Sequence, residues 1–239
     1  MTLSERLIPL IDLTSLNDGD TAGIVASLCR RAVTPKGRVA AVCVWPRFVA
    51  QAKADLSGTG VKVATVVNFP SGAADAVAVA AETAQAVGDG ADEIDMVLPY
   101  RRFLAGDRAT AGAVLKDCRN ACGGARLKVI LESGAFTEAA ELRAAADLAI
   151  AAGADFLKTS TGKIATGATL EAAAVMLEAI RASGCPVGFK ASGGIREVGP
   201  AARYLDLADR LMGAGWATPR TFRFGASGLL DALVASDRG

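Results

Sequence analysis

Residues 153–191 read GADFLKTSTGKIATGATLEAAAVMLEAIRASGCPVGFKA, and this stretch decides the fold. Two short apolar runs, at residues 154–159 and 187–191, flank a longer stretch rich in alanine and leucine at 170–183. Short apolar runs are typical of buried strands, and the longer stretch is typical of a helix. The order strand, helix, strand predicts two parallel strands that are joined by a helix packed on their sheet.

The same alternation continues on both sides of this stretch. Further strands, most of them followed by a helical stretch, are predicted at residues 39–44, 62–67, 92–98, 127–132, 210–212 and 222–224. The last two helical stretches are predicted at residues 198–206 and 229–236. Up to eight such units in about 200 residues favour a closed (β/α)8 barrel, or TIM barrel, over an open doubly wound sheet. A GxGxxG motif does not follow the first strand, which disfavours a dinucleotide-binding sheet.

The chain is predicted to form a single α/β domain over residues 1–239, because the sequence has no composition break, proline-rich linker or low-complexity run. Residues 4–21 are expected to add an N-terminal helix and a loop that cap the barrel. No apolar run approaches the ~20 residues that a membrane span needs, so we expect no membrane partner.

Composition limits the chemistry that the chain can perform. Its 26 Lys and Arg residues against 25 Asp and Glu give a formal net charge of +1, which offers little attraction for nucleic acid. The absence of histidine excludes Ser-His-Asp and Cys-His nucleophiles and disfavours a zinc site. Five cysteines without a CxxC pair or a signal peptide favour reduced thiols in the cytoplasm. We expect neither a metal nor another cofactor.

Among the charged residues inside predicted strands, where a barrel should be apolar, three are singled out. They are Asp95, Lys158 and Lys190, each near the C-terminal end of its strand, where barrel enzymes place their chemistry. An isolated strand-end lysine is more often a surface residue with a buried stem. Three such residues at one face of a barrel instead indicate a site, because buried ionised groups must pair or shift their pKa.

Two lysines on neighbouring strands have a clear chemical use. Strands in a sheet lie ~4.8 Å apart, so Lys158 and Lys190 could bring two ammonium groups together. Burial and a like charge both lower the pKa of a lysine, and a neutral amine attacks carbonyl carbons. Gly188 shares the inward face with Lys190 and is expected to leave room beside it, while Asp95 could relay protons. These residues favour a Schiff-base lyase over a hydrolase.

Glycine-rich loops follow several of the late strands. Ser192-Gly193-Gly194 follows one strand, and Gly225-Ala226-Ser227-Gly228 follows the last and opens a helix. Backbone N–H groups in such loops can point at an anion, and barrels often bind phosphate with their late loops. Thr161-Gly162-Lys163 offers a third loop with a cationic side chain. Together the loops predict phosphate binding.

With these residues in place, the sequence closely resembles the deoxyribose-phosphate aldolases, a family of class I aldolases. The resemblance covers nearly the whole chain, in family order, and its most specific part is KTSTGK together with GFKxxGG. The matching blocks are LIDLTSLNDGDT (10–21), VCVWPRFV (42–49), VVNFPSG (66–72), ADEIDMVLPYR (91–101), LKVILESG (127–134), GADFLKTSTGK (153–163), VGFKASGGIR (187–196) and FRFGASG (222–228).

The resemblance implies a barrel enzyme that reversibly cleaves 2-deoxy-D-ribose 5-phosphate to acetaldehyde and D-glyceraldehyde 3-phosphate. It implies that Lys158 forms the Schiff base, that Lys190 perturbs it and that Asp95 relays protons. The substrate-binding residues that it implies are Asp12 and Thr14 near the sugar hydroxyls, and Thr161, Lys163, Gly193, Gly194, Gly225 and Ser227 for the rest of the sugar phosphate. The partners are then a sugar phosphate and aldehydes, and a homo-oligomer is compatible with the sequence.

Three departures from the family pattern stand out. The common GFKPAGG has Ala191 and Ser192 in its middle here, and FGASS becomes FGASG, so Gly228 lacks a hydroxyl. Some members end in a tyrosine that aids proton transfer, whereas this sequence ends in SDRG and contains Tyr100 and Tyr204.

Three alternative functions compete with this interpretation. Another Schiff-base barrel, such as a transaldolase-like or ketose-phosphate aldolase, is disfavoured by the matching blocks. A sugar-phosphate-binding barrel that has lost catalysis is disfavoured because Lys158, Lys190 and Asp95 are all present. A metal-dependent class II aldolase is disfavoured because no imidazole is available.

Overall fold

Short, buried runs of Val, Ile, Leu, Phe and Ala form the strands of a closed barrel. The computed structural model describes residues 2–235, and eight parallel strands among them close into this barrel, each paired with its neighbours in chain order. The predicted TIM barrel is confirmed. The strands are β1 Ile11–Thr14, β2 Ala41–Val44, β3 Lys62–Val67, β4 Glu93–Val97, β5 Arg126–Ile130, β6 Phe156–Lys158, β7 Gly188–Ser192 and β8 Phe222–Ala226.

Helices follow the strands and cover the barrel from outside. Side-chain caps fix where several begin: Asp75, Asp107 and Thr169 each accept a hydrogen bond from a backbone N–H in the first turn of the helix that follows. The helices are α1 Leu3–Leu7, α2 Ala22–Arg31, α3 Val49–Asp55, α4 Ala76–Gly88, α5 Tyr100–Leu104, α6 Arg108–Ala121, α7 Ala139–Ala151, α8 Leu170–Ser183, α9 Val198–Met212 and α10 Leu229–Ala235.

The N-terminal segment differs from the prediction. The expected helix is present as α1, followed by a short 3-10 turn at Ile8–Leu10. The next four residues are not part of a cap but form β1, which pairs with β8 and β2 and closes the barrel. This strand escapes a sequence pattern because it is only four residues long and two of them, Asp12 and Thr14, are polar.

The predicted strand at residues 210–212 is wrong. These residues are the last turn of α9, which was expected to end at residue 206. Apolar side chains recur at helical spacing along α9, and Ala201, Leu205 and Ala208 are buried on one face. The last predicted helix reached residue 236, and Ser236 lies outside the described residues.

The main apolar core lies between the barrel and its helices, and a smaller one lies inside. The inner cluster comprises Leu16, Ala41, Cys43, Ala64 and Val66, from β2, β3 and the loop after β1. Much of the remaining interior is charged. None of the helices within residues 2–235 is both long enough and apolar enough to cross a bilayer.

Candidate active site

The two predicted lysines are brought together by strand register. Lys158 ends β6 and pairs directly with Lys190 on β7, so the predicted adjacency of these strands is confirmed. Both Nζ atoms donate to the same oxygen, Oδ2 of Asp95, at 2.7 Å each. Lys190 also donates to Oδ2 of Asp12 at 2.5 Å. Two ammonium groups therefore share one carboxylate oxygen inside the barrel.

A third lysine lies deeper and contacts three carboxylates. Nζ of Lys128 is 2.9 Å from Asp12 Oδ2, 2.9 Å from Asp95 Oδ1 and 2.7 Å from Glu93 Oε2. Arg223 on β8 joins the same group, with Nη1 2.5 Å from Asp12 Oδ1 and Nη2 3.0 Å from Glu93 Oε1. All of these side chains are buried.

These contacts define what we name the barrel charge network. It has four cationic side chains and three carboxylates, so it carries one surplus positive charge when every group is ionised. Removing one proton from a lysine makes the network neutral, which matters because uncompensated buried charge is costly. Its members are Asp12, Glu93, Asp95, Lys128, Lys158, Lys190 and Arg223.

Lys158 holds its proton less firmly than the other two lysines of the network. Burial, together with the Lys190 ammonium, lowers its pKa below the ordinary value, although Asp95 opposes the shift. Burial also acts to lower the pKa of Lys190, but Asp12 and Asp95 outweigh it and the pKa is raised. The three carboxylates around Lys128 likewise raise its pKa despite burial. The network loses its first proton from Lys158.

The two aspartates of the network, Asp12 and Asp95, remain ionised. Burial acts to raise the pKa of Asp95, but the ammonium groups of Lys128, Lys158 and Lys190 hold it far below the usual range. The pKa of Asp12 is also lowered, by Lys128, Lys190 and Arg223 against burial. Asp95 therefore serves as a fixed negative charge beside Lys158.

A pocket of about 480 Å³ opens above Lys158 at the C-terminal end of the strands. Of the seven network residues, Lys158 alone lines this pocket, and Asp12, Asp95 and Lys190 lie beneath it. The other sequence-predicted residues all line the pocket: Thr14, Thr161, Lys163, Gly193, Gly194, Gly225 and Ser227. The predicted residues thus form a buried layer of charge below a polar mouth.

The loop after β6 is fixed across the mouth of the pocket. Thr161 donates its backbone N–H and its hydroxyl to Glu132, at 3.1 and 2.5 Å. Thr161 Oγ1 in turn accepts from the backbone N–H of Lys163, at 3.0 Å. Lys163 Nζ reaches the carbonyl of Leu16 at 2.8 Å, which ties this loop to the loop after β1.

Glycine is required at the late loops. Gly193 and Gly194 have φ values of 93° and 87°, in a region that other residues rarely adopt. At Gly225 the restriction is space, because an added Cβ would lie 2.8 Å from Ser192 Cβ and 3.0 Å from Lys190 Cε. The backbone at these three positions therefore faces the pocket without a side chain.

The departures from the family pattern have visible consequences. Ser192 donates its hydroxyl to the carbonyl of Ser160 at 2.5 Å and so ties β7 to the loop after β6. An added Cβ at Gly228 would meet its nearest neighbour, Arg196 Cβ, at 4.0 Å, so a side chain fits there. Tyr100 and Tyr204 are buried away from the pocket lining, and residues 236–239 lie outside the described residues.

Sequence reasoning missed part of the site. Glu93, Lys128 and Arg223 are also charged residues inside strands, but they lie away from the C-terminal strand ends where the site was sought. At the mouth, Arg31 and Arg196 add two cations to the lining beside Lys163. The network carboxylates are paired with the three network lysines and Arg223. In the described part of the chain, no three Cys, Asp or Glu side chains form a set suited to a metal ion.

One spatial expectation was wrong. Gly188 was expected to leave room beside Lys190, but the Phe156 ring fills that space, 2.5 Å from where a Cβ would lie. The guanidinium of Arg223 lies 5.6 Å from the centre of the same ring. Gly188 therefore lets an aromatic side chain close the barrel below the lysines.

Comparison with known sequences identifies the family to which the chain belongs. The sequence profile of a family described as DeoC/LacD family aldolase matches residues 6–228. The chain is 54% identical to a deoxyribose-phosphate aldolase of Agrobacterium fabrum over 229 residues, which is 95% of this chain and 88% of the relative.

Solved structures give the same result. A deoxyribose phosphate aldolase from Aeropyrum pernix, described as tetrameric, superposes with a TM-score of 0.79 at 26% identity, over 98% of this chain and 92% of the other. A Coccidioides immitis protein provisionally assigned as a deoxyribose-phosphate aldolase superposes with a TM-score of 0.83 at 32% identity, over 98% and 86% of the two chains.

Proposed function

The chain belongs to the DeoC/LacD family of aldolases, and from this premise we propose that it reversibly cleaves 2-deoxy-D-ribose 5-phosphate to acetaldehyde and D-glyceraldehyde 3-phosphate. The reaction proceeds through an imine on Lys158. One observation carries the assignment of that residue: Lys158 is the network lysine that faces the pocket, and its pKa is the one that burial and charge lower. A neutral amine is what attack on an aldehyde requires.

Imine formation begins at the aldehyde carbon of the open-chain sugar. The Lys158 amine adds to C1, and loss of water gives the imine. In its protonated form the imine withdraws electrons, so the bond between C2 and C3 breaks as the C3 hydroxyl loses its proton. The bonding electrons pass into an enamine, which takes a proton at C2. Hydrolysis then releases acetaldehyde and restores the Lys158 amine.

Asp95 and Lys190 support this cycle from below the pocket. Asp95 Oδ2 lies 2.7 Å from Lys158 Nζ and is the counter-ion for the protonated imine. Because the pKa of Asp95 is held far below its usual range, its main contribution is a fixed negative charge. A relay of protons through Asp95 and Lys190 to Lys158 remains part of the proposal, since the three groups form one hydrogen-bonded chain.

The phosphate group of the substrate is held at the mouth of the pocket, by the late loops. Lys163 and the backbone N–H groups at Gly193, Gly194 and residues 225–227 surround this part of the lining. Charge-assisted hydrogen bonds to phosphate are the strong ones, each worth about 1.5–3 kcal/mol. Thr14 also lines the pocket, where it can contact the sugar hydroxyls. Asp12 acts from beneath, through Lys190 and Lys128.

The proposal extends to assembly and location. A homo-oligomer is expected because the Aeropyrum pernix relative is described as tetrameric. A cytoplasmic location is expected because all five cysteines are free thiols.

Borohydride reduction in the presence of acetaldehyde tests the proposed imine. One two-carbon fragment per chain should become attached, and peptide mapping should place it on Lys158. The Lys158→Ala variant should take up none. Attachment at Lys163 or Lys190 in the wild-type protein would overturn the assignment.

A further inference from the structure

A second, larger cavity lies at the opposite end of the barrel from the proposed active site. Its volume is about 790 Å³, against about 480 Å³ for the pocket above Lys158. Lys62, Glu93 and Arg126, the first residues of β3, β4 and β5, line it. We name it the basal cavity. The proposed aldolase reaction makes no use of it.

The lining of the basal cavity is strongly cationic. Five cationic side chains and two carboxylates line the cavity, whereas the whole chain carries a net charge of only +1. One of the five, Arg223, is already paired with Asp12 and Glu93. The cations are Arg38, Lys62, Arg126, Arg220 and Arg223, and the carboxylates are Asp92 and Glu93.

The two carboxylates do not neutralise the outer arginines. Glu93 is engaged by Lys128 and Arg223 from inside the barrel, at 2.7 and 3.0 Å. Asp92 is engaged by Lys53, at 2.7 Å. Arg126 lies 3.9 Å from Glu93, too far for a hydrogen bond. The guanidinium groups at the rim therefore retain donors for a ligand.

Other residues of the lining are uncharged and form the walls of the cavity. Pro9, Val39, Val87 and Pro219 contribute apolar surface to its walls. A concave site with apolar walls and a few converging polar groups is the usual form of a small-molecule site. Such a wall suits the organic part of a ligand whose charged group meets the arginines.

We propose that the basal cavity binds a small phosphorylated molecule carrying two to three negative charges. This negative charge complements the cationic lining, and the planar guanidinium group is suited to paired hydrogen bonds with phosphate oxygens. Arg126 and Arg220 make the main contacts. Arg223 forms the floor, where its Nε donates to the carbonyl of Pro219 at 2.6 Å.

Calorimetric titration with inorganic pyrophosphate at low salt tests the proposal. The Arg126→Ala/Arg220→Ala variant should bind the probe at the basal cavity at least about tenfold more weakly than wild type. It leaves the network contacts of Arg223 in place. A matched control, Arg102→Ala/Arg143→Ala, removes the same charge from α5 and α7 and should leave binding unchanged. If the double variant does not fold, Arg220→Ala alone, at an exposed side chain, provides the same comparison.

The same titration must distinguish pyrophosphate binding at the mouth of the barrel from binding at the basal cavity. Lys163→Ala should weaken pyrophosphate binding at the mouth and leave the basal event intact. Equal binding by wild type and the basal variant would overturn the proposal, and so would binding that only Lys163→Ala weakens. Borohydride trapping at Lys158 in the basal variant reports separately on the aldolase assignment, which does not depend on this cavity.

Discussion

Lys128 and Lys158 lie on neighbouring strands of the same barrel, both contact Asp95 and both are buried, yet their pKa values move in opposite directions. Around Lys128, deep in the barrel, three carboxylates hold the proton. Around Lys158, near the mouth, one carboxylate oxygen is shared with Lys190. Burial alone therefore does not make a lysine nucleophilic: the number of counter-ions decides which buried lysine loses its proton.

The comparison also separates stability from chemistry. Groups in the deep region are fully paired, and removing one partner leaves a buried charge without compensation. At the mouth, one cation is in excess, and its neutral form is what the reaction needs. Matched substitutions should therefore reduce mainly activity at the mouth and mainly stability in the deep region.

The largest expected effect comes from replacing the two lysines in parallel. Lys158→Met should reduce kcat/KM well over 10³-fold, because loss of a covalent nucleophile costs on this scale. Lys128→Met should instead lower the free energy of unfolding by about 3–5 kcal/mol, because it leaves three carboxylates short of a cation. Retro-aldol kinetics and denaturant unfolding of both variants measure the contrast.

The same pair gives a sign test for stability. The pKa of Lys158 is lower in the folded than in the unfolded chain, so the unfolded chain binds more protons and the wild type loses stability as pH falls between these values. Lys158→Met removes this penalty and should raise the Tm at neutral pH, with a gain that shrinks as pH rises toward 10.5, the ordinary lysine pKa. A lower Tm for Lys158→Met would show that Lys158 is charged and needed for pairing.

Two carboxylates on β4 provide the next test. Asp95→Asn removes the counter-ion of the proposed imine and should lower kcat by about 10²–10⁴-fold, the usual range for a group that assists proton transfer. It should also destabilise the fold, because Asp95 contacts three ammonium groups. Glu93→Gln, two residues away, should destabilise the fold with a much smaller loss of kcat. Equal losses of kcat in both variants would contradict the division into two regions.

The sequence predicts the fold and the mouth of the site better than the deep region. Asp95, Lys158 and Lys190 stand out because charges are rare in barrel strands. Lys128 and Arg223 are also charges inside strands, but a single strand does not reveal which carboxylate each will face. That depends on register between strands distant in sequence, such as the proximity of β1 and β8, which brings Asp12 to Arg223.

The missed strand β1 has the same origin. Four residues with two polar side chains carry too little apolar pattern to indicate a strand, and its partners, β2 and β8, lie far away in the chain. In contrast, Leu211 and Met212 continue the helical spacing of apolar residues in α9. The local sequence pattern is least predictive where pairing with strands distant in sequence determines the structure.

A smaller effect, on pH dependence, is expected at Lys190. Lys190→Met removes the like charge beside Lys158 and leaves three carboxylates with Lys128, Arg223 and Lys158, a set that is neutral only when Lys158 is protonated. The pKa of Lys158 should therefore rise. The acid limb of the kcat/KM profile should therefore move to higher pH. At any pH below this limb, kcat/KM should fall about tenfold for each pH unit by which the limb moves. An unmoved limb with reduced kcat would place Lys190 in proton transfer instead.

Substitutions at the mouth should change substrate preference rather than chemistry. Lys163→Ala should narrow the difference in kcat/KM between deoxyribose 5-phosphate and free deoxyribose by about 10-fold or more, through loss of one charge-assisted contact. The effect should fall on the phosphorylated sugar alone. A parallel loss with free deoxyribose would assign Lys163 to the reaction instead of the phosphate.

The smallest effect is expected at Gly228, where the chain departs from the family pattern. A hydroxyl there adds a neutral hydrogen bond, worth about 0.5–1.5 kcal/mol, so Gly228→Ser should widen the preference for the phosphorylated sugar by only a few-fold. The substitution is sterically permitted, since the nearest atom to an added Cβ is 4.0 Å away. Gly225→Ser provides the opposite control, because the same side chain would collide with Ser192 and Lys190. If Gly228→Ser leaves the ratio unchanged, the loop amides and the cations of the mouth already hold the phosphate without a hydroxyl at this position.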